Sequence, residues 1–175
     1  MILYFSGTGN SAYAAKRIGR EIQDEALNLF DKIRNHDHSA LSSKRPWVVA
    51  APTYAWRIPR VVSDWLMKTE LEGARDIYFV LTCGGGIGNA GAYLKRLSEA
   101  KGLRYRGCAE VRMPENYIAL YDAPGREEAL ALIDKAEAPI SAIARRIGEG
   151  RCCPDRQPPL RIKSRVDWST MCFTL

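Results

Sequence analysis

Nowhere among these 175 residues is there an apolar run approaching the roughly 18 that a membrane helix needs, so no membrane span is expected. The first residues read as a strand rather than as a basic region followed by a cleavable apolar segment, so no secretory leader is expected either. Cysteine is sparse. Cys83, Cys108, Cys152, Cys153 and Cys172 are an odd number without a C-x-x-C pair or disulfide-framework spacing, and a reducing, cytoplasmic setting is expected. Histidine is sparser still: His36 and His38 have no acidic or thiol partner at ligand spacing, and no metal site is expected. The chain also lacks an internal repeat, which excludes a solenoid or a propeller.

What is there suits one globular domain, because a hydrophobic content of 46% over this length is enough for a proper core. The formal net charge is +6. Much of the excess lies late, where Arg145, Arg146, Arg151, Arg156, Arg161, Lys163 and Arg165 face only Glu149 and Asp155. Such an end could meet an anionic partner. No nucleic-acid-reading module accompanies it, however, so a solvated basic face is the simpler account and no nucleic-acid partner is expected.

The most informative stretch is Ser6-Gly7-Thr8-Gly9-Asn10-Ser11, which follows the apolar run Ile2-Leu3-Tyr4-Phe5 and precedes an amphipathic helical pattern. Gly7 and Gly9 permit backbone angles closed to residues with a Cβ, so successive N–H groups can turn inward onto an anion while the new helix adds its positive end. Ser6, Thr8 and Ser11 add hydroxyls around the same point. A ring of neutral donors suits a terminal phosphate monoester. Two other readings stand beside this one. The stretch fits G-x-G-x-x-A as Gly7, Gly9 and Ala12, with Asp31 about the right distance on for a dinucleotide ribose, and a glycine turn without a ligand is the plain alternative. It is no Walker loop, because no Gly-Lys-Ser/Thr closes it.

Strand and helix patterns then alternate with short connections. Ala15, Ile18, Gly19 and Ile22 mark the inner face of a first helix, residues 26–30 read as a short strand, and 31–45 as a polar surface loop. Trp47-Val48-Val49-Ala50-Ala51 and Ile77-Tyr78-Phe79-Val80-Leu81 are the near-continuous apolar runs of parallel strands buried on both faces. The first leads into Pro52-Thr53-Tyr54-Ala55-Trp56-Arg57-Ile58-Pro59, fixed by prolines, and a helix to about Met67. The second leads into Thr82-Cys83-Gly84-Gly85-Gly86-Ile87-Gly88-Asn89 and a helix from Ala90 to about Lys101. Residues 104–113 read as a fifth strand split at Gly107, and 113–124 as an irregular stretch. A last helix takes Ala129 through Ile147 inward, with a kink at Pro139.

This alternation predicts an α/β fold: a doubly wound five-stranded parallel sheet in the order 2-1-3-4-5, with right-handed crossovers and helices on both faces. The loops after the first, third and fourth strands then converge on one edge, at the topological switch point where ligands sit in such sheets.

At this point the residues resemble the flavodoxin-like FMN proteins. Phe5-Ser6-Gly7-Thr8-Gly9-Asn10-Ser11 is similar to the opening of flavodoxin domains that are often followed by a bacterial-type two-cluster ferredoxin module. The Pro52-Thr53-Tyr54 loop, the 82–89 loop and Met113-Pro114-Glu115-Asn116-Tyr117 are similar to that group in the same order. The resemblance implies an FMN-binding domain over residues 1–150, followed by a basic tail with Pro and Cys over 151–175. It implies that Ser6, Gly7, Thr8, Gly9, Asn10 and Ser11 hold the FMN phosphate. Pro52, Thr53, Tyr54, Ala55 and Trp56 would line one face and edge of the isoalloxazine, and Thr82, Cys83, Gly84, Gly85, Gly86 and Asn89 would meet its polar edge. Three ligand loops are more than a pyrophosphate binder needs, which favours FMN over a dinucleotide. Two features depart from the group. The C-x₂-C-x₂-C-x₃-C-P run of the ferredoxin module is missing, so any cluster belongs to a partner, and the chain is basic where electron-carrying members are acidic.

The implied function is electron transfer, one electron at a time through a flavin semiquinone, with a redox protein such as an acidic ferredoxin as partner. The alternative is an FMN-dependent oxidoreductase that takes hydride from NAD(P)H and reduces a quinone, a flavin or a similar small acceptor, with Arg57 and Arg60 helping the nucleotide bind. In either case FMN carries the chemistry and no side chain is assigned a catalytic role. Tyr54 or Trp56 against the ring would lower the potential for the last electron, and Arg57 close by would raise it. Cys83 reads as a small backbone-contacting residue, because no second cysteine stands at short spacing to resolve a disulfide.

Overall fold

The apolar runs form strands whose side chains alternate between two covered faces. The computed structural model describes residues 1–116 and 122–155; Tyr117 and the tail beyond Asp155, with Cys172, lie outside the described residues. With strands numbered along the chain, the central parallel sheet runs β2 (Ala26–Asn28), β1 (Ile2–Tyr4), β4 (Trp47–Pro52), β6 (Asp76–Cys83) and β7 (Arg104–Arg112). This is the order the sequence predicts. Val48, Ala50, Tyr78 and Val80 face one side, where α1 (Asn10–Ile22) and α5 (Arg126–Gly148) cover them through Ala14, Ile18, Ala136 and Ile140. Trp47, Val49, Phe79 and Leu81 face the other, under α3 (Arg60–Lys68) and α4 (Ala90–Ala100), which contribute Val62, Trp65, Leu66 and Leu94. Burying a side chain the size of Phe79 or Leu94 contributes about 2 kcal/mol, so these two layers carry most of the stability. The buried indoles are satisfied: Trp47 Nε1 donates to the Ala74 carbonyl at 3.0 Å and Trp65 Nε1 to the Asp37 carbonyl at 2.7 Å.

Four local features differ from the sequence reading. The strand expected over 26–30 stops at Asn28, whose side-chain oxygen accepts the Phe30 N–H at 3.1 Å and turns the chain into a short helix, α2 (Phe30–Arg34). Asp31 therefore sits exposed on that helix rather than at a strand end. The stretch 31–45 is not all loop: β3 (Leu41–Ser43) pairs in parallel with β5 (Leu71–Gly73) as a second, two-stranded sheet. Gly107 does not split the fifth strand; with φ at 112° it makes a bulge, so that Tyr105 pairs with Ile77 but Cys108 with Phe79. Finally, the start of the tail is docked. The Cys153 N–H donates to the Arg106 carbonyl at 2.8 Å, and the Asp155 carboxylate accepts from the Cys108 N–H at 2.9 Å and the Tyr105 hydroxyl at 2.6 Å. Cys153 is buried there, and that burial pushes its thiol up to about 11. Among the described residues no helix is long and apolar enough to cross a membrane.

Two glycines separate the cost of backbone angle from the cost of contact. Gly102 has a φ of 72° with open space around it, whereas at Gly107 a Cβ would also overlap the Cys153 carbonyl. Gly102→Ala should cost about 1 kcal/mol in urea unfolding and Gly107→Ala clearly more, about 2 kcal/mol or above. Equal losses would show that the tail does not pack on the bulge.

Candidate functional site

Parallel neighbours end on the same edge of a sheet, and the ends of β1, β4 and β6 bring the three predicted loops together there. Helix α1 starts from Gly9, which at φ 104° takes a conformation that L side chains rarely adopt. The helix has no side-chain cap and no acidic residue in its first turn. The N–H groups of that turn have no carbonyl behind them within the helix, so they face outward with the positive end of the dipole. Apart from the adjoining residues of the chain, nothing lies within 4 Å of where a Cβ on Gly7 or Gly9 would stand, so the cradle is open. Ser6 Oγ accepts the Gly9 N–H at 3.0 Å, and Thr8 Oγ1 accepts from Asn116 Nδ2. Each hydroxyl thus keeps its own proton for an anion. Asn10 is committed elsewhere, donating from Nδ2 to the Pro114 carbonyl at 2.9 Å. These two asparagines fasten the segment after β7 to the cradle. Ser11 turns inward, 1% exposed, with its hydroxyl 2.7 Å from that of Thr82.

The second loop leaves β4 at Pro52 and is held by the Thr53 N–H, which donates to the Thr82 carbonyl at 2.9 Å. The Thr53 hydroxyl oxygen is buried and has no hydrogen-bond partner among the described residues. Tyr54 and Arg57 then exchange two backbone hydrogen bonds, at 2.8 and 3.1 Å, closing a tight turn over Ala55 and Trp56. Both turn residues have positive φ, 48° and 59°. This mirror-image turn normally uses Asn-Gly, and a residue with a Cβ held there is strained by about 1 kcal/mol or more. The strain holds two aromatic side chains out of the core: Tyr54 is 55% and Trp56 65% exposed. Trp56 lies against Gly88, where a Cβ would overlap the indole. The Arg57 guanidinium is drawn aside over the Tyr93 ring, 5.1 Å from its centroid.

In the third loop, Thr82 and Cys83 are the last residues of β6 rather than part of the turn, and Cys83 is half-buried. Of the three glycines that follow, only Gly84 is closely approached; Gly85 has open space and Gly86 ordinary contact. A Cβ on Gly84 would overlap the Glu115 carboxylate, and the Gly85 carbonyl accepts from Arg112 at 3.2 Å. Arg112 also pairs with Glu110 at 3.3 Å. Ile87 is buried and anchors the loop, and Asn89 is the exposed residue that begins α4. Glu115, Arg112 and Gly88 also stand among these loops and are not predicted as ligands from sequence; for Asn116 the sequence allows an edge of the pocket or a tie for its loop, and its bond to Thr8 fits the tie. The run of glycines reads in sequence as a turn, and nothing in it signals that Glu115 lies against Gly84.

No family model matches the chain and no curated protein matches it. Solved structures do. The FMN-dependent NADH-azoreductase of Bacillus anthracis, in complex with FMN, is 13% identical over 84% of this chain and 99% of its own, with a TM-score of 0.50. Two-electron reduced flavodoxin from Megasphaera elsdenii is 15% identical over 80% and 98%, with a TM-score of 0.46. The flavodiiron core from Synechocystis sp. PCC6803 is 14% identical with a TM-score of 0.42; the match covers 83% of this chain but 35% of that protein, so the chain spans about a third of its length. At such identities the likeness is one of architecture: the chain has a flavodoxin-like α/β fold.

Proposed function

We propose that this protein binds FMN at the three-loop edge and serves as an electron-transfer protein that exchanges electrons singly with another redox protein. One observation carries the reading: an uncapped, acid-free helix N-terminus opens into a glycine cradle beside two exposed aromatic side chains. The donor set fits a phosphate monoester, since backbone N–H groups and the free protons of Ser6 and Thr8 all donate and no carboxylate stands in the first turn. When bound, FMN supplies reversible one- and two-electron redox chemistry. The azoreductase of the same fold is solved with FMN, in agreement with this ligand.

The chain's own part is to bind, exclude water and tune. Tyr54 and Trp56 offer apolar faces that a planar ring can cover, which would remove water from it. Glu115 rests on Gly84, and its negative charge would oppose further negative charge on a reduced ring. The exposed Arg60 and the net charge of +6 suit an acidic partner such as a ferredoxin. Arg60 at the start of α3 would equally suit the phosphates of NAD(P)H, which is the feature that keeps the reductase reading as the second one.

Anaerobic reductive titration of the FMN-loaded protein, followed by absorbance, separates the two. Two resolved one-electron steps and no reaction with NADPH are expected; a single two-electron step driven by NAD(P)H would make the protein a reductase, and failure to take up FMN would overturn the proposal. Gly7→Asp places a carboxylate in the open cradle without a clash, so it should weaken FMN binding at least about tenfold and leave riboflavin, which has no phosphate, unaffected. Ala55→Asn combined with Trp56→Gly should relieve the turn, raising the urea midpoint by the equivalent of about 1 kcal/mol, while flavin affinity falls about tenfold. A variant that gains stability and keeps its affinity would exclude Trp56 from the ring site.

A further inference from the structure

Thr82 stands where the three loops meet. Its hydroxyl is 2.7 Å from that of Ser11 in the first turn of α1, its carbonyl accepts the Thr53 N–H of the aromatic loop at 2.9 Å, and its own chain leads directly into the glycine run. Thr82 pairs with Pro52 in the register of β4 and β6, and Pro52 has no N–H to give, so the bond from Thr53 closes that ladder at the site edge. Ser11 is 1% and Thr82 4% exposed, so the hydroxyl pair lies under the cradle rather than in it.

We propose that Thr82 is a positioning residue that sets the phosphate cradle and the aromatic loop from one buried point, and that the Ser11 side chain is its link to α1 rather than a ligand of the anion. The inference rests on the FMN reading of this edge. The physical case is one of stiffness and isolation. Thr82 is β-branched and sits in a paired strand, so its Oγ1 has little freedom, and a hydroxyl pair away from water holds its geometry because losing one member leaves the other buried without a partner. The backbone N–H groups around Ser11 are the donors that the anion meets. Fixing the Ser11 side chain therefore fixes their aim, and the Thr82 carbonyl fixes where Thr53 begins the turn that presents Tyr54 and Trp56. An anion ligand would act differently, since a hydroxyl aimed into the cradle would serve the phosphate alone.

The test compares Thr82→Val, which keeps the shape and removes the hydroxyl, with Thr82→Ser, which keeps the hydroxyl, Ser11→Ala, and the Ser11→Ala/Thr82→Val double variant. Affinities for FMN and for riboflavin are read by quenching of flavin fluorescence, with urea midpoints alongside. Thr82→Val and Ser11→Ala should each weaken both flavins by a similar factor, about fivefold, the double variant should lose no more than either, and Thr82→Ser should stay within about twofold of the natural protein. If Ser11→Ala weakens FMN alone while Thr82→Val is silent, the Ser11 hydroxyl is a phosphate ligand and the inference falls. It falls equally if the midpoints drop while both affinities hold, or if the two single losses add. A natural protein that binds neither flavin would instead overturn the FMN reading, and the inference with it.

Discussion

The pairing of β4 with β6 over six positions, from Trp47 with Ile77 to Pro52 with Thr82, puts apolar side chains on both faces of the middle of the sheet, and helices cover each face. A strand so placed has no side chain to spare for chemistry. Polar groups and unusual backbone are excluded from its length by the cost of burying them, and are admitted where the strand stops. Because all five central strands are parallel, their carboxyl ends share one edge, and the three loops that follow β1, β4 and β6 gather there. The depth of the hydrophobic layers therefore decides where the site is before any residue in it is chosen.

The edge itself is left out of electrostatic and conformational balance. Helices α1, α3 and α4, which follow the three loops, begin without an acidic residue in the first turn, whereas α2 carries Asp31 and α5 carries Glu127 and Glu128; none of the five has a side-chain cap. Ala55 and Trp56 hold backbone angles that favour glycine, and the Thr53 hydroxyl is buried without a partner among the described residues. Each departure costs stability on its own. Together they leave an edge rich in backbone donors with exposed aromatic rings, and the well-packed layers beneath offset their cost.

The parts of this arrangement that were legible in the sequence are those with local causes. Ser6 to Ser11 could be read because a glycine turn between a strand and a helix is a contiguous pattern, and Trp47 to Ala51 and Ile77 to Leu81 because strands buried on both faces leave unbroken apolar runs. Other features depend on contacts that no short window contains. β3 and β5 are three residues each, lie thirty positions apart and pair through Leu41 and Leu71, so neither declares itself alone. The seat of Glu115 on Gly84 is a meeting of two loops, as is the lean of Arg57 over Tyr93. Asp155 reads in sequence as one acid in a basic tail, and only the fold reveals that it closes bonds to Cys108 and Tyr105.

That last contact covers backbone groups at the border of the sheet. β7 ends the sheet, and a terminal strand of nine residues displays a row of unpaired backbone groups on which another chain could template itself. The opposite border is blunt, since β2 has three residues. On the long border, the Gly107 bulge bends the strand, Cys153 occupies the Arg106 carbonyl, and Asp155 occupies the Cys108 N–H. Residues 151–155 thus cover part of the long border: a chain ending at Gly150 would keep all three loops and leave the Arg106 carbonyl and the Cys108 N–H open to another strand.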